Sequence, residues 1–248
     1  MKDKNHNGLH GIPVTAPDVV SGWYSNFMRY EIQLLSAHWE ESEIAISNAW
    51  VDMKNHTVTE IEEYDDMHYS IYEYFRGVDG STFCLDHIYK EFFPSLIRRS
   101  NLVVLVSFME AELHKLCQDL TAKFLMDETQ NSFVEYKKEN KRRSKFLMMR
   151  NYLANRIGLS FDSFLIAKWN DLQTLYILRN NILHNFGKLE KYPKKLEMFI
   201  QGHSEITIAE HSNDIEIGRS FMENTLQPIL VDFCQRMEKS IQVRLNDN

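Results

Sequence analysis

Leu175-Tyr-Ile-Leu-Arg-Asn-Asn-Ile-Leu-His-Asn-Phe-Gly187 is the stretch on which the reading of this chain turns. On a helical wheel advancing about 100° per residue, Leu172, Tyr176, Arg179, Leu183 and Phe186 fall within roughly 40° either side of one line. An arginine therefore interrupts an apolar stripe. Gln173, Asn180 and His184 form a polar line about 100° further round, with Asn180 and His184 direct i,i+4 neighbours. A buried guanidinium is costly unless it is paired. The helix thus requires either a partner for Arg179 or a use for its charge.

The surrounding sequence is mostly helical in pattern. Asp162 and Ser163 suit the start of the Arg179 helix and Gly187 suits the residue after its end. Ser95 to about Leu125 carries Leu102, Val103, Leu105, Val106, Met109, Leu113, Leu116 and Leu120, the pattern of a central core helix. Glu110 and Glu112 on that helix are the candidate partners of Arg179. Phe146 to Ile157, stopped by Gly158, predicts another amphipathic helix, and the polar run before it predicts a loop or an exposed helix. His203–Ile208 and Ile215–Ile217 alternate with period two around Asn213-Asp214, which predicts a small β-hairpin near 203–217. Arg219 to about Leu245 predicts a long helix bent near Pro228.

Towards the N-terminus, residues 1–17 hold Gly8, Gly11, Pro13 and Pro17 without periodicity and predict a flexible tail. His6 and His10 are four apart, but Gly8 between them argues against a helical metal pair. Trp23 to about Met53 suits a long amphipathic helix. Thr59 to Arg76, closed by Gly77, is read as a second helix with Ile61, Tyr64, Ile71, Tyr74 and Phe75 facing inwards. Pro94 is expected to break or restart the helical pattern that begins near Cys84.

Composition bounds the function. Of 248 residues 44% are hydrophobic and 25% charged, with only 9 glycines and 5 prolines, which favours an ordered helical protein. A net charge of −7 argues against a general nucleic-acid coat, because such binding rests on neutralising phosphates. Any nucleic-acid contact must then be local. Lys137, Lys138, Lys141, Arg142 and Arg143, within the run ending at Lys145, are the candidate RNA-binding residues. Cys84, Cys117 and Cys234 are scattered, indicating neither a disulfide framework nor a cysteine metal site. No signal-peptide pattern opens the sequence, and the apolar run Leu102–Met109, with Ser107 inside it, is too short to span a bilayer. The expectation is a cytoplasmic protein without membrane attachment.

Arg179, Asn180 and His184, at the end of a capped amphipathic helix and followed by a hairpin and a closing helix, resemble the HEPN superfamily. Its mark is an Arg, often followed by a polar residue such as Asn, with a His five to seven positions on. The similarity extends more loosely over about residues 95–245. It implies a mainly α, antiparallel helical bundle over residues 91–248, with residues 18–90 as an added N-terminal helical layer packed on it. It also implies a homodimer in which two motif helices meet and pool Arg and His in one cleft. Many such proteins are metal-independent endoribonucleases in toxin, antiphage or RNA-processing roles, while others are non-catalytic binding or regulatory modules. On this resemblance Arg179, Asn180 and His184 are the catalytic candidates, with Glu110, Glu112, Tyr176 and Asn185 in support. No cofactor or metal is expected; RNA is the substrate, and a protein inhibitor or cognate partner is implied.

The residue chemistry suits that expectation. RNA cleavage by its own 2′-hydroxyl needs a proton acceptor, a proton donor for the leaving 5′-oxygen, and cations near the phosphorane. Histidine titrates closest to neutrality, and arginine can hold a phosphate through two donors. Asn180 can fix the His184 ring or bond the phosphate. A single copy supplies one such histidine, so a dimer could divide the acid and base roles. Three alternatives stand beside this. Arg179 can pair with Glu110 or Glu112 while His184 caps the helix end, the chain can be a non-catalytic HEPN-like dimer, or it can be an unrelated helical interaction protein.

Overall fold

The computed structural model describes residues 6–7, 13–14, 20–65, 68–124, 133–140, 144–189, 193–209 and 212–247. The chain is mainly α, with seven helices and three small antiparallel sheets among these residues. Of the N-terminal tail only two strands are described, β1 (His6–Asn7) and β2 (Pro13–Val14), which pair antiparallel; His10 lies outside the described residues.

Helix α1 opens with a π turn over Trp23–Met28 and continues over Arg29–His56. The amide groups of a helix's first turn lack partners within the helix. Here a carboxylate from the far end of the chain supplies one: Glu238 Oε2 accepts from the backbone N–H of Tyr24 and Ser25 at 2.5 and 2.8 Å. Trp23, Phe27, Met28, Ile32 and Trp39 are buried in the main core, so the start of α1 belongs to the same core as the C-terminal half. Thr57 ends the helix, its hydroxyl donating to Met53 O.

The segment expected to be a second helix is a hairpin. Strands β3 (Val58–Asp65) and β4 (His68–Phe75) pair antiparallel with Ile61 opposite Ile71, and β5 (Val78–Asp79) adds a short third strand. Ile61 and Ile71, assigned inwards on the helical reading, are 64% and 55% exposed; Phe75 is buried. The N-terminal layer is therefore not wholly helical. Tyr72 and Tyr74, two apart and on one face as a strand requires, stack with ring centroids 6.4 Å apart. The run is rich in β-branched and aromatic residues, which favour a pleated strand over a helix. Phe75 joins Met53, Leu85 and Tyr89 in a second, smaller cluster that fastens the hairpin to the helices.

Helix α2 runs from Leu85 to Phe124 and passes through Pro94 without ending. A proline in a helix lacks an N–H and crowds the carbonyl four residues back. The chain accommodates it with a π turn over Ile88–Phe92, immediately upstream. The same device recurs in α7, where the π turn Met222–Leu226 precedes Pro228 in Gln227–Asn246. Helix α2 is long and apolar enough, by length and composition alone, to cross a membrane. Its Leu102, Leu105, Met109, Leu113, Leu116, Cys117 and Leu120 are buried against the rest of the fold, which is compatible with a soluble protein.

Around α2 pack α3 (Phe133–Glu139), α4 (Lys145–Tyr152 with a π turn Leu153–Ile157) and α5 (Ser163–Asn185). Gly158 ends α4 at φ 82°, as its position in the sequence suggests. Asp162 caps α5, its Oδ1 accepting from Leu165 N at 2.7 Å. Helix α6 (Lys194–Gln201), not expected from the pattern of the sequence, follows Pro193 and buries Leu196 and Phe199. Strands β6 (Ile206–Ile208) and β7 (Ile215–Ile217) form the second expected hairpin, with Ile206, Ile215 and Ile217 buried.

One ion pair ties three of these elements. Arg98 of α2 meets the buried Glu43 of α1 through Nε and Nη2 at 2.6 and 2.7 Å, and its Nη1 donates to Ile217 O of β7 at 3.2 Å. Removing one partner strands the other charge in the interior. Arg98→Ala should therefore lower unfolding stability in urea by about 3–5 kcal/mol, while replacing Glu43 and Arg98 together by apolar residues of similar size should cost clearly less.

Candidate functional site

Helix α5 buries a broad sector built from Leu165, Trp169, Leu172, Leu175 and Leu178. The line through Leu172, Tyr176, Arg179, Leu183 and Phe186 crosses from that sector to the surface as the helix leaves the core. Leu172 is buried, Tyr176 and Arg179 are half-buried, and Leu183 and Phe186 are 45% and 83% exposed. Arg179 thus stands at the boundary, where its stem packs and its head reaches water.

The guanidinium is held by neutral oxygens. Its Nε and Nη2 donate to Ser107 Oγ at 3.3 and 3.0 Å, and its Nη1 donates to Asn180 Oδ1 at 2.8 Å. Ser107 in turn donates to Val103 O at 2.7 Å, which leaves its lone pairs for the arginine. Tyr176 lies under the guanidinium with its ring centroid 5.9 Å away and rests on Phe146. Of five N–H donors on an arginine, two on Arg179 have no partner among the described residues and can serve a ligand.

Neither expected carboxylate reaches it. Glu110 binds Lys145 Nζ at 2.5 Å, and Glu112 lies 3.8 Å from Lys115 Nζ. Burial does not demand a counter-ion for Arg179, since the group is only half-buried. Asn180 fixes the arginine rather than the His184 ring. His184 and Asn185 are exposed one turn further on, and among the described residues no hydrogen bond or ion pair engages His184. It does not cap the helix.

The helix end is closed by other groups. Phe186 adopts the left-handed conformation at φ 55° and Gly187 follows at φ 86°. The buried Arg99 of α2 donates to Phe186 O at 2.7 Å, and Asn181 Nδ2 donates to Lys188 O at 3.0 Å. Ile215 N donates to Gly187 O at 2.9 Å, joining the turn to β7. A bulky residue at positive φ is an uncommon, strained conformation. The surrounding bonds hold Phe186 there, with its side chain exposed.

Arg179 lines a cleft of about 440 Å³ between α2, α3, α4 and α5. Ser107, Glu110, Ala111 and His114 supply one wall from α2, at the i, i+3, i+4, i+7 spacing of one helix face. Lys137 and Lys145 enter from α3 and from the start of α4. The His114 ring meets Phe133 edge-on at 4.9 Å, and its pKa lies below the usual histidine range through burial, reinforced by Lys137 and Lys145 and opposed by Glu110. Hydrogen bonding to Glu110 raises the Lys145 pKa against partial burial and the nearby Arg179 charge. Of the basic run, Lys137 lines the cleft, Lys138 pairs with Glu135 at 2.6 Å, and Lys141, Arg142 and Arg143 lie outside the described residues. Burial raises the Cys117 and Cys234 thiols well above the ordinary range, which suits core packing rather than nucleophilic chemistry. Among the described residues, no three His, Cys, Asp or Glu side chains converge as a metal site requires.

The structure therefore joins Arg179 to Asn180 and Tyr176, leaves His184 and Asn185 outside the cleft, and adds Ser107, His114 and Lys145. No family model, curated protein or solved structure matches the chain. The site's own chemistry carries the functional argument.

The turn after α5 offers a direct stability test. A Cβ on Gly187 would lie 2.6 Å from Arg99 Nη1 at a φ that disfavours side chains. Gly187→Ala should cost about 1–3 kcal/mol in urea unfolding, whereas Phe186→Gly should cost nothing or stabilise. Equal losses for both would mean that the turn is not strained at Phe186.

Proposed function

We propose that the chain is a metal-independent endoribonuclease of HEPN type that works as a dimer. The observation that carries this is the state of Arg179: oriented by Ser107 and Asn180, bound to no carboxylate among the described residues, and retaining donors in a cleft lined by lysines. An arginine used only for structure would be expected to spend its charge on Glu110, which lines the same cleft. Here Glu110 is bound by Lys145 instead.

The two free donors suit a phosphodiester. A ribose 2′-oxygen then attacks its own phosphorus as its proton passes to one histidine; the 2′-O–P bond forms, the P–O5′ bond breaks, and a second histidine protonates the 5′-oxygen. The products are a 2′,3′-cyclic phosphate and a 5′-hydroxyl. Arg179 offsets charge on the phosphorane. His184 of two copies supplies the two proton-transfer groups. The exposed Leu183 and Phe186 beside His184 support the dimer, since large apolar side chains clustered at one helix end favour a partner surface. A setting in defence or toxin action follows only from the resemblance.

One observation favours the second reading, a dimeric binding module without catalysis: among the described residues no side chain orients the His184 ring, and catalytic histidines are usually fixed by a neighbour. Incubation with single-stranded RNA in excess chelator separates the two. Wild type should produce cyclic-phosphate ends, and His184→Ala and Arg179→Ala should each slow cleavage by about 10²–10⁴-fold. Cleavage by the wild type no faster than by the variants rejects the nuclease and leaves the binding module.

A further inference from the structure

We propose that the cleft beside Arg179 is a nucleotide-binding subsite, taking a nucleoside monophosphate unit with its phosphate on Arg179 and Lys137 and its base towards Met148, Met149 and His114. The inference deepens the reading above and rests on it for the link to RNA, while the cleft's ligand is tested apart from cleavage.

Charge gives the first argument. Among the described residues Arg179, Lys137 and Lys145 bring three cations to the cleft against one carboxylate, Glu110, which with neutral His114 leaves it net positive. The whole chain carries −7. A local positive cleft on an acidic protein concentrates anions at that place and repels them elsewhere. The pairing with Lys145 offsets the charge of Glu110, which among the described lining residues is the group that would oppose an incoming phosphate. Lys137 is exposed, and no ion pair engages it among the described residues.

The rest of the lining is unlike a plain phosphate site. The volume of about 440 Å³ exceeds what a bare phosphate fills and falls in the range of small-molecule pockets. Ala111, Met148 and Met149 give an apolar wall, and methionine adapts to flat ring faces. His114 closes the set. Neither ring nitrogen is hydrogen-bonded among the described residues, so a neutral imidazole offers one donor and one acceptor to a ribose hydroxyl or a base edge. Its ring is already fixed against Phe133. The groups facing it are Glu110 on its own helix, Lys137 from α3, Lys145 from α4, and Arg179 across the cleft. A bound phosphate screens those cations and favours the imidazolium.

The experiment titrates the full-length chain at low salt with adenosine 5′-monophosphate, adenosine and inorganic phosphate, following heat and the His114 ring proton resonances. The monophosphate should bind about tenfold or more tighter than either fragment, since it alone fills both ends of the cleft. Lys137→Ala and Arg179→Ala should each weaken it by about tenfold, the loss of one charge-assisted contact, and the His114 titration midpoint should move up by about one pH unit on binding. His184→Ala should lose RNA cleavage and keep monophosphate binding. Equal affinity for phosphate and monophosphate, or binding indifferent to Lys137→Ala and Arg179→Ala, overturns the subsite. Lost monophosphate binding with RNA cleavage intact sinks the subsite alone; binding without cleavage sinks the nuclease alone.

Discussion

A helix as apolar as α2 has to be covered, and most of the fold is the means of covering it. Helices α1, α4 and α5 and strand β7 all pack on it, and its buried leucines occupy the centre of the main core. Where the cover is complete the contacts are mostly apolar, and a buried polar group such as Thr121 finds a partner in the Tyr152 hydroxyl. At Ser107 it is incomplete, and a hydroxyl takes the place a leucine would fill. That one substitution turns the α2–α5 seam from a dry contact into the rear wall of a cleft. Arg179 can stand there because a neutral oxygen accepts from it without cancelling its charge.

The polar positions of α2 follow the same logic in both directions from Ser107. Two turns towards the N-terminus, Arg99 crosses to the carbonyl of Phe186 and fixes the end of α5. Two turns towards the C-terminus, His114 lies on the cleft. One face of a single core helix thus sets the end of the motif helix, orients its arginine and furnishes a histidine. The strain at Phe186 belongs to this arrangement. Arg99 and the amide of Ile215 grip the backbone on either side of the turn, so an aromatic ring is held exposed in a conformation it would not choose.

Much of this could be seen in the sequence, and the failures have physical causes. The motif helix was legible because its cap at Asp162, its apolar spacing and Gly187 all agree. Ser107 was visible as the break in an apolar run, but its meaning required knowing that α5 lies opposite. His114 was hidden for the same reason, although Ser107, Glu110, Ala111 and His114 share one helix face. The β3–β4 hairpin was misread because its apolar residues fit both periods over short spans; its β-branched and aromatic content was the better guide. Pro94 misled differently. A proline is expected to break or restart a helix, whereas the π turn over Ile88–Phe92 lets α2 pass; the long helix read across Pro228 is present.

The separation of Arg179 from His184 bears on what a dimer would have to achieve. Within one chain the arginine opens on a cleft with its own cations, while the histidine lies outside it, exposed beside Leu183 and Phe186. One chain therefore keeps the arginine and this histidine apart, and the histidine that shares the cleft with Arg179 is His114. A second copy meeting the exposed end of α5 would bury Leu183 and Phe186, and in doing so would enclose His184 in a drier setting where its hydrogen bonds count for more. Association and chemistry would then be the same event, and a monomer could bind a nucleotide in the cleft without cutting RNA.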